Sequence, residues 1–258
     1  MNIVVSSSAY LAFNIVNMIH LPRELGIEVL IENANDYVWK HALKELITDR
    51  PSDFTMHGPF LYMNLASKEC EFDQVLENYK WAFDYYNQFS AKHCVLHPHG
   101  FMSDTQGETN ESLKERSLDR IQKLADFASN SGVNLLVENM CYPYIIFDQQ
   151  AYVEMFNRIS NINSIIDIGH ALIKSWDIPK LLADLGPRIN AFHVDDNYGA
   201  NQKDIHLKLG DGLFNSPEFF EAYNKYCPNT RLVLEYLGVT TEEIITSAQQ
   251  VKKLAIMY

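Results

Sequence analysis

Eight short apolar runs, each followed by a longer amphipathic segment, constrain the fold of this chain more than any other feature. The runs are NIVVSS (2–7), IEVLIE (27–32), DFTMHG (53–58), HCVLHP (93–98), VNLLVEN (133–139), SIIDIG (164–169), NAFHVDD (190–196) and RLVLEY (231–236). They are rich in Val, Ile and Leu, as expected of parallel strands buried on both faces. Segments with helical periodicity lie between them, among them 72–89, 110–130 and 240–257. Ser131-Gly132 and Gly186-Pro187 punctuate two helix ends. Strand and helix alternating eight times over 258 residues predict an α/β fold, a single-domain (β/α)8 TIM barrel over residues 1–258. The competing open, doubly wound sheet would normally carry a Gly-rich turn after its first strand, and SSSAYLAF has no glycine.

Composition narrows the partners. Thirty-three acidic residues against 21 basic ones give a net charge of -12. A protein that lives on phosphate-backbone contacts usually shows a basic stripe, and none appears. The acidic balance favours small or neutral substrates and divalent cations. Cys70, Cys94, Cys141 and Cys227 are widely spaced with no C-x-x-C pair, which predicts reduced, mostly buried thiols rather than a disulfide framework. MNIVVSSSAYLAF has no basic n-region leading into a long apolar stretch, and no apolar run approaches the ~18 residues of a membrane helix. The expectation is a cytoplasmic protein without membrane contact.

Chemistry-bearing side chains gather where the strands end. His57, His97, His170, His193 and His206 sit at or just past predicted strand ends, or in the loops beyond, with Glu138, Asp167, Asp204 and Glu235. In a barrel those ends converge on one rim, where active sites are built. Charged groups are rarely buried unpaired, so nine such residues at one rim point to bound cations. A mixture of imidazole and carboxylate suits Zn²⁺, Mn²⁺ or Fe²⁺ better than Mg²⁺ or Ca²⁺. Glu138 and Asp167 are candidates to bridge two ions. Asp167-x-x-His170 reads as a strand-to-loop turn, and Asp204-x-His206 as an extended loop with both side chains on one side. His99, Asn139, Asp195, Asn197 and Lys208 are candidate contacts to those ligands or to substrate, each with a plain structural alternative. His20, His41 and His93 read as structural, and Trp39, Trp81 and Trp176 as packing residues.

The motifs HGPFLYMNLAS (57–67), VLHPHG (95–100), VENM (137–140), IIDIGHA (165–171), HVDDNYG (193–199), DIHLKLGDG (204–212) and VLEY (233–236) occur in this order. Together they resemble the xylose isomerase-like barrel superfamily, which holds sugar phosphate isomerases and epimerases and the endonuclease IV type of abasic-site nuclease. The resemblance implies up to three ions, zinc foremost, with manganese or iron as alternatives. His57, His97 and Glu138 would hold one; Glu138, Asp167, His193 and Glu235 a second; His170, Asp204 and His206 a third. Gly58-Pro59-Phe60 stands where endonuclease IV has Ala-Pro-Tyr, so a tyrosine used against DNA is missing, and ENANDYVWKH carries no arginine-bearing DNA loop.

Two reactions follow from the resemblance. One is isomerisation or epimerisation of a small sugar, sugar phosphate or polyol, with Glu138 and Glu235 as the catalytic acid and base. The other is hydrolysis of a phosphodiester in abasic DNA, which would use all three ions. DNA is the less favoured partner because the basic footprint is absent. A non-catalytic metal-binding subunit is a third, minor reading.

Overall fold

The computed structural model describes residues 2–10, 12–31, 36–47, 53–61, 63–100, 107–141 and 146–258. The end of the second apolar run at Glu32, part of the loop read as acidic to neutral, the stretch 101–106 and the Trp39 side chain lie outside the described residues. Eight parallel strands form a closed barrel in sequence order: β1 (Ile3–Ser6), β2 (Gly26–Leu30), β3 (Phe54–His57), β4 (Cys94–Leu96), β5 (Leu135–Glu138), β6 (Asn163–Asp167), β7 (Ile189–Val194) and β8 (Arg231–Leu234). Pairing of β1 with β8, Val4 opposite Val233, closes the ring. Each strand falls within its apolar run or one residue outside it. No described helix is long and apolar enough to cross a membrane.

Outer helices follow the strands: α1 (Asp36–Ile47), α2 (Phe72–Phe89), α3 (Asn110–Asn130), α4 (Gln149–Arg158), α5 (Ile168–Ile173) with α6 (Ile178–Leu185), α7 (Ser216–Tyr226) and α8 (Thr241–Met257). After β1 the connection is a 3-10 segment, Ala12–His20. Helix starts have chemical causes. Thr109, Asp148 and Asp177 accept hydrogen bonds from first-turn amides, and Thr240 with Glu243 forms a capping box. The aromatic side of α2 (Ala82, Phe83, Tyr85, Tyr86) is buried in the outer ring, and Trp81 and Trp176 pack against the same core.

The pleat divides the barrel. Val5, Ile27, Val29, Met56, Leu96, Val137, Ile166, Phe192 and Leu234 belong to the large core beneath the helices. Val4, Val95, Leu136, Ile165, Ala191 and Val233 form a separate buried cluster. Fully burying a large aliphatic side chain contributes about 1.5–3 kcal/mol, so this small cluster is a substantial interior layer. Side chains two residues apart on a strand share a face. Two residues beyond each member of this layer stand Ser6, His97, Glu138, Asp167, His193 and Glu235. The apolar layer is therefore a floor, and a ring of polar side chains lies on it.

Candidate metal centre

Every strand from β3 to β8 delivers a ligand-type side chain to that ring: His57, His97, Glu138, Asp167, His193 and Glu235. Strand β2 adds Glu28, which the sequence reading did not single out. Six carboxylates in the described residues are buried, namely Glu28, Glu138, Asp167, Asp195, Asp196 and Glu235, and no Lys or Arg is buried with them. Desolvating a carboxylate costs several kcal/mol unless a cation or hydrogen bonds compensate. Among the described residues, histidines are the only basic groups buried with them.

Hydrogen bonds fix how three of these imidazoles are presented. His57 Nδ1 lies 2.9 Å from the Gly58 carbonyl, which can only accept, so this nitrogen donates and Nε2 turns inward. His170 donates from Nδ1 to the Asn139 carbonyl at 2.8 Å, turning Nε2 towards Asp204. His193 is reversed: Nε2 donates to Glu28 Oε1 at 2.8 Å and Nδ1 faces the ring. The bare nitrogens thus look at oxygens that also accept. Glu235 Oε2, Glu138 Oε1 and Asp167 Oδ2 lie 2.9, 3.3 and 3.9 Å from His193 Nδ1. His57 Nε2, His97 Nε2 and Glu138 Oε2 form a triangle with sides of 3.1, 3.1 and 3.5 Å. Ligands about 2.1 Å from a tetrahedral ion stand roughly 3.4 Å apart, so these spacings fit a shared cation.

Orphaned atoms mark the same place. Asp167 Oδ2, His193 Nδ1 and His206 Nδ1 are buried without a hydrogen-bond partner. Burial opposes a charged His193, but Glu235, Glu138 and Glu28 around it raise its pKa well above the ordinary imidazole value. His170 and His206 are raised likewise, against burial, with Asp167 the main charge on the first and a hydrogen bond to Asp204 foremost on the second. Burial pushes Asp167 up to about 6. Four groups have ligand atoms within 4.8 Å of one another: His57, His97 and Glu138; Glu138, Asp167, His193 and Glu235; Asp167, Asp195 and His206; and, separate from these, Cys141, His170 and Asp204. The donor set fits a divalent cation.

Local folding differs from the sequence expectation at two motifs. Asp167 ends in no loop turn: its carboxylate accepts from the His170 amide at 2.6 Å and caps α5. The Asp204–His206 stretch is not extended, because His206 sits in the left-handed region at φ 43, an uncommon conformation for a non-glycine residue. Both side chains still meet, with His206 Nε2 3.0 Å from Asp204 Oδ2 and His170 Nε2 3.2 Å from the same oxygen.

The supporting candidates are placed as follows. Asn139 pairs reciprocally with the Asp167 backbone, donating to its carbonyl at 2.9 Å and accepting from its amide at 2.8 Å. Asp195 accepts from the Gly169 amide at 2.9 Å, and a Cβ on Gly169 would lie 2.1 Å from Asp195 Oδ2, so only glycine fits there. Asn197 spans Asp195 (3.2 Å) and Asp204 (3.3 Å) and accepts from the Ile205 amide. His99 is buried and lies 3.1 Å from the Gly100 carbonyl; burial lowers its pKa to about 4. Lys208 turns to Asp211 (3.3 Å) and Glu243 (3.6 Å).

Two groups were missed. Glu28 also accepts from His93 Nε2 (2.8 Å) and Thr55 Oγ1 (3.0 Å), which explains the buried His93. Asp196 accepts four backbone amides, Asn197 (2.8 Å), Phe214 (2.9 Å), Gly210 (3.0 Å) and Gly212 (3.0 Å), and ties the loop that carries Asp204 and His206. An acidic residue inside the otherwise apolar IEVLIE was the available signal for Glu28.

The fold has close counterparts. A D-tagatose 3-epimerase-like protein superposes with a TM-score of 0.78 at 19% identity, over 100% of this chain and 98% of that one. The IolI protein with a bound zinc atom gives 0.79 at 17%, over 100% and 99%. An AP endonuclease, family 2, from Brucella melitensis gives 0.73 at 18%, over 94% and 96%. In sequence, protein MJ1311 of Methanocaldococcus jannaschii is 24% identical over 186 residues, 69% of this chain and only 62% of that protein's own length. A family model described as xylose isomerase-like TIM barrel matches residues 13–254, nearly the whole chain. The chain belongs to the xylose isomerase-like TIM barrel family.

Proposed function

We propose that this protein is a divalent-metal-dependent isomerase or epimerase of a small sugar, sugar phosphate or polyol. The observation that carries the reading is the convergence of Glu138 and Glu235, from strands three places apart, on His193 Nδ1 at 3.3 and 2.9 Å. Glu138, Asp167, His193 and Glu235 would hold the central ion, His57 and His97 with Glu138 a second, and His170, Asp204 and His206 a third; zinc suits this donor set best, with manganese or iron as alternatives. When bound, such an ion polarises a carbonyl and a neighbouring hydroxyl and favours loss of the proton between them.

The chain's own residues supply the rest. One carboxylate takes the proton from the carbon beside the carbonyl, and the other returns a proton to it. Ser6 Oγ donates to Glu235 Oε1 at 3.2 Å, which steadies that carboxylate while its second oxygen stays in the ring. The floor of Val4, Val95, Leu136, Ile165, Ala191 and Val233 excludes water from below. The net charge of -12 and the turning of Lys208 towards carboxylates favour a small substrate over a polyanion. The likeness to a D-tagatose 3-epimerase-like protein supports the same class.

Deuterium uptake at the carbon beside the carbonyl, followed by NMR over a panel of ketoses with zinc or manganese supplied, tests the reading. Wild type should exchange, and Glu235→Gln should be slower by roughly 10²–10⁴-fold. Unchanged exchange in the variant would remove Glu235 from the reaction. No exchange by wild type on any sugar would remove the reading itself.

A second reading, phosphodiester hydrolysis, is favoured by one observation: the ligand groups are more numerous than proton transfer needs. The likeness to the Brucella melitensis AP endonuclease supports it. Incision of an abasic-site duplex would establish it.

A further inference from the structure

Cys141 is the one buried cysteine outside the hydrophobic core. Cys94 and Cys227 belong to the main cluster and Cys70 packs against it, whereas Cys141, only 8% exposed, belongs to neither apolar cluster. It lies three residues beyond Glu138, at the rim. Its sulfur and one ligand atom each of His170 and Asp204 lie within 4.8 Å of one another. The His170 ring is held there through Nδ1 by the Asn139 carbonyl, so its Nε2 is offered to the same point. His206 Nε2 reaches the shared Asp204 oxygen at 3.0 Å, and its own Nδ1 is buried without a hydrogen-bond partner.

We propose that Cys141 is a thiolate ligand of an ion held with His170 and Asp204, giving that position a Cys/His/carboxylate donor set. The inference rests on the metal-centre reading above and adds to it a donor that the His/carboxylate resemblance does not contain. One consequence follows. A thiolate is a soft donor, so this position selects Zn²⁺, Co²⁺ or Cd²⁺ over Mg²⁺ and Mn²⁺, while the all-His/carboxylate positions do not discriminate in that way. An ion here would brace the segments after β5, β6 and β7.

Titration of the metal-stripped full-length protein with Co²⁺ tests this by absorption. Wild type should develop visible d–d bands together with a near-ultraviolet thiolate-to-cobalt charge-transfer band. Cys141→Ser should keep the visible bands and lose the ultraviolet one, and Cys70→Ser should keep both. In competition with a chelator, Cys141→Ser should lose at least about tenfold in Cd²⁺ affinity, the loss typical even of a group that only supports a ligand, with a smaller change for Mn²⁺. Visible bands without the thiolate band in wild type would overturn the role of Cys141 and leave the metal centre standing. A thiolate band that survives in Cys141→Ser would overturn it as well. No retained Co²⁺ at all would overturn both, and because the wild-type spectrum alone decides the first and last cases, a poorly folded variant does not block the test.

Discussion

Glu28 accepts hydrogen bonds from two imidazoles and a hydroxyl, which uses both of its oxygens. Burial alone would push this carboxyl up, but the His193 and His93 contacts hold it ionised, far below the ordinary range. Its effect is transmitted: by accepting the hydrogen bond of His193 Nε2–H it keeps the proton on that nitrogen and leaves Nδ1 bare towards the ring, the reverse of His57 and His170. Outer partners of this kind are commonly worth 10–100-fold in metal affinity. Glu28→Gln, whose amide presents a donor to one of the two histidines, should lose about that much, read by competition with a chromogenic chelator. Equal affinity would show that His193 needs no such partner. Glu28 escaped the sequence reading because one acidic letter in an apolar run does not reveal whether the pleat turns it inward. His93, read as structural, makes sense only once Glu28 is placed beside it. That these side chains would gather at one rim was legible, because strand ends are easy to locate and barrel ends converge.

At the scale of elements, the strands were legible and the loops were not. Each β run is buried on both faces, so its apolar letters are continuous and mark its place to within a few residues. Helices α2 and α3 match their periodic segments end to end; Thr109 caps α3, while α2 starts without a side-chain cap and is marked by its apolar period alone. The loop from β7 to α7 is held by something no periodicity records, a single carboxylate receiving four amides. Asp196 is one of three consecutive polar residues, and only the turn geometry decides that it, rather than its neighbours, gathers the four amides. Removing an acceptor from buried donors costs about 1–3 kcal/mol. Asp196→Ala should therefore destabilise the protein by that order in chemical denaturation and speed hydrogen exchange at Gly210, Gly212 and Phe214. Retained protection at those amides would mean the loop is held from elsewhere.

For the whole molecule, the opposite end of the barrel is fastened by a different carboxylate. Asp53 accepts from Arg231 Nε at 2.6 Å and Asn2 Nδ2 at 2.8 Å, which joins residues beside β1, β3 and β8 where the ring closes. Burial raises the Asp53 carboxyl, but those hydrogen bonds and the guanidinium charge outweigh it and leave its pKa below the ordinary value. A depressed pKa contributes stability above the unfolded value, and the contribution is lost as the pH falls through the folded value. Asp53→Asn should therefore lower Tm at pH 7, and its gap from wild type should close below about pH 4. A gap that stays constant through the acid range would remove the linkage.

The six aliphatic side chains under the polar ring give the molecule a floor, and a floor makes a cup with a single mouth. Whatever enters from above must go out the same way, past the groups that drew it in. Arrival and departure share one doorway and cannot overlap. On the proposed reading, a spent molecule would have to leave before the next could enter.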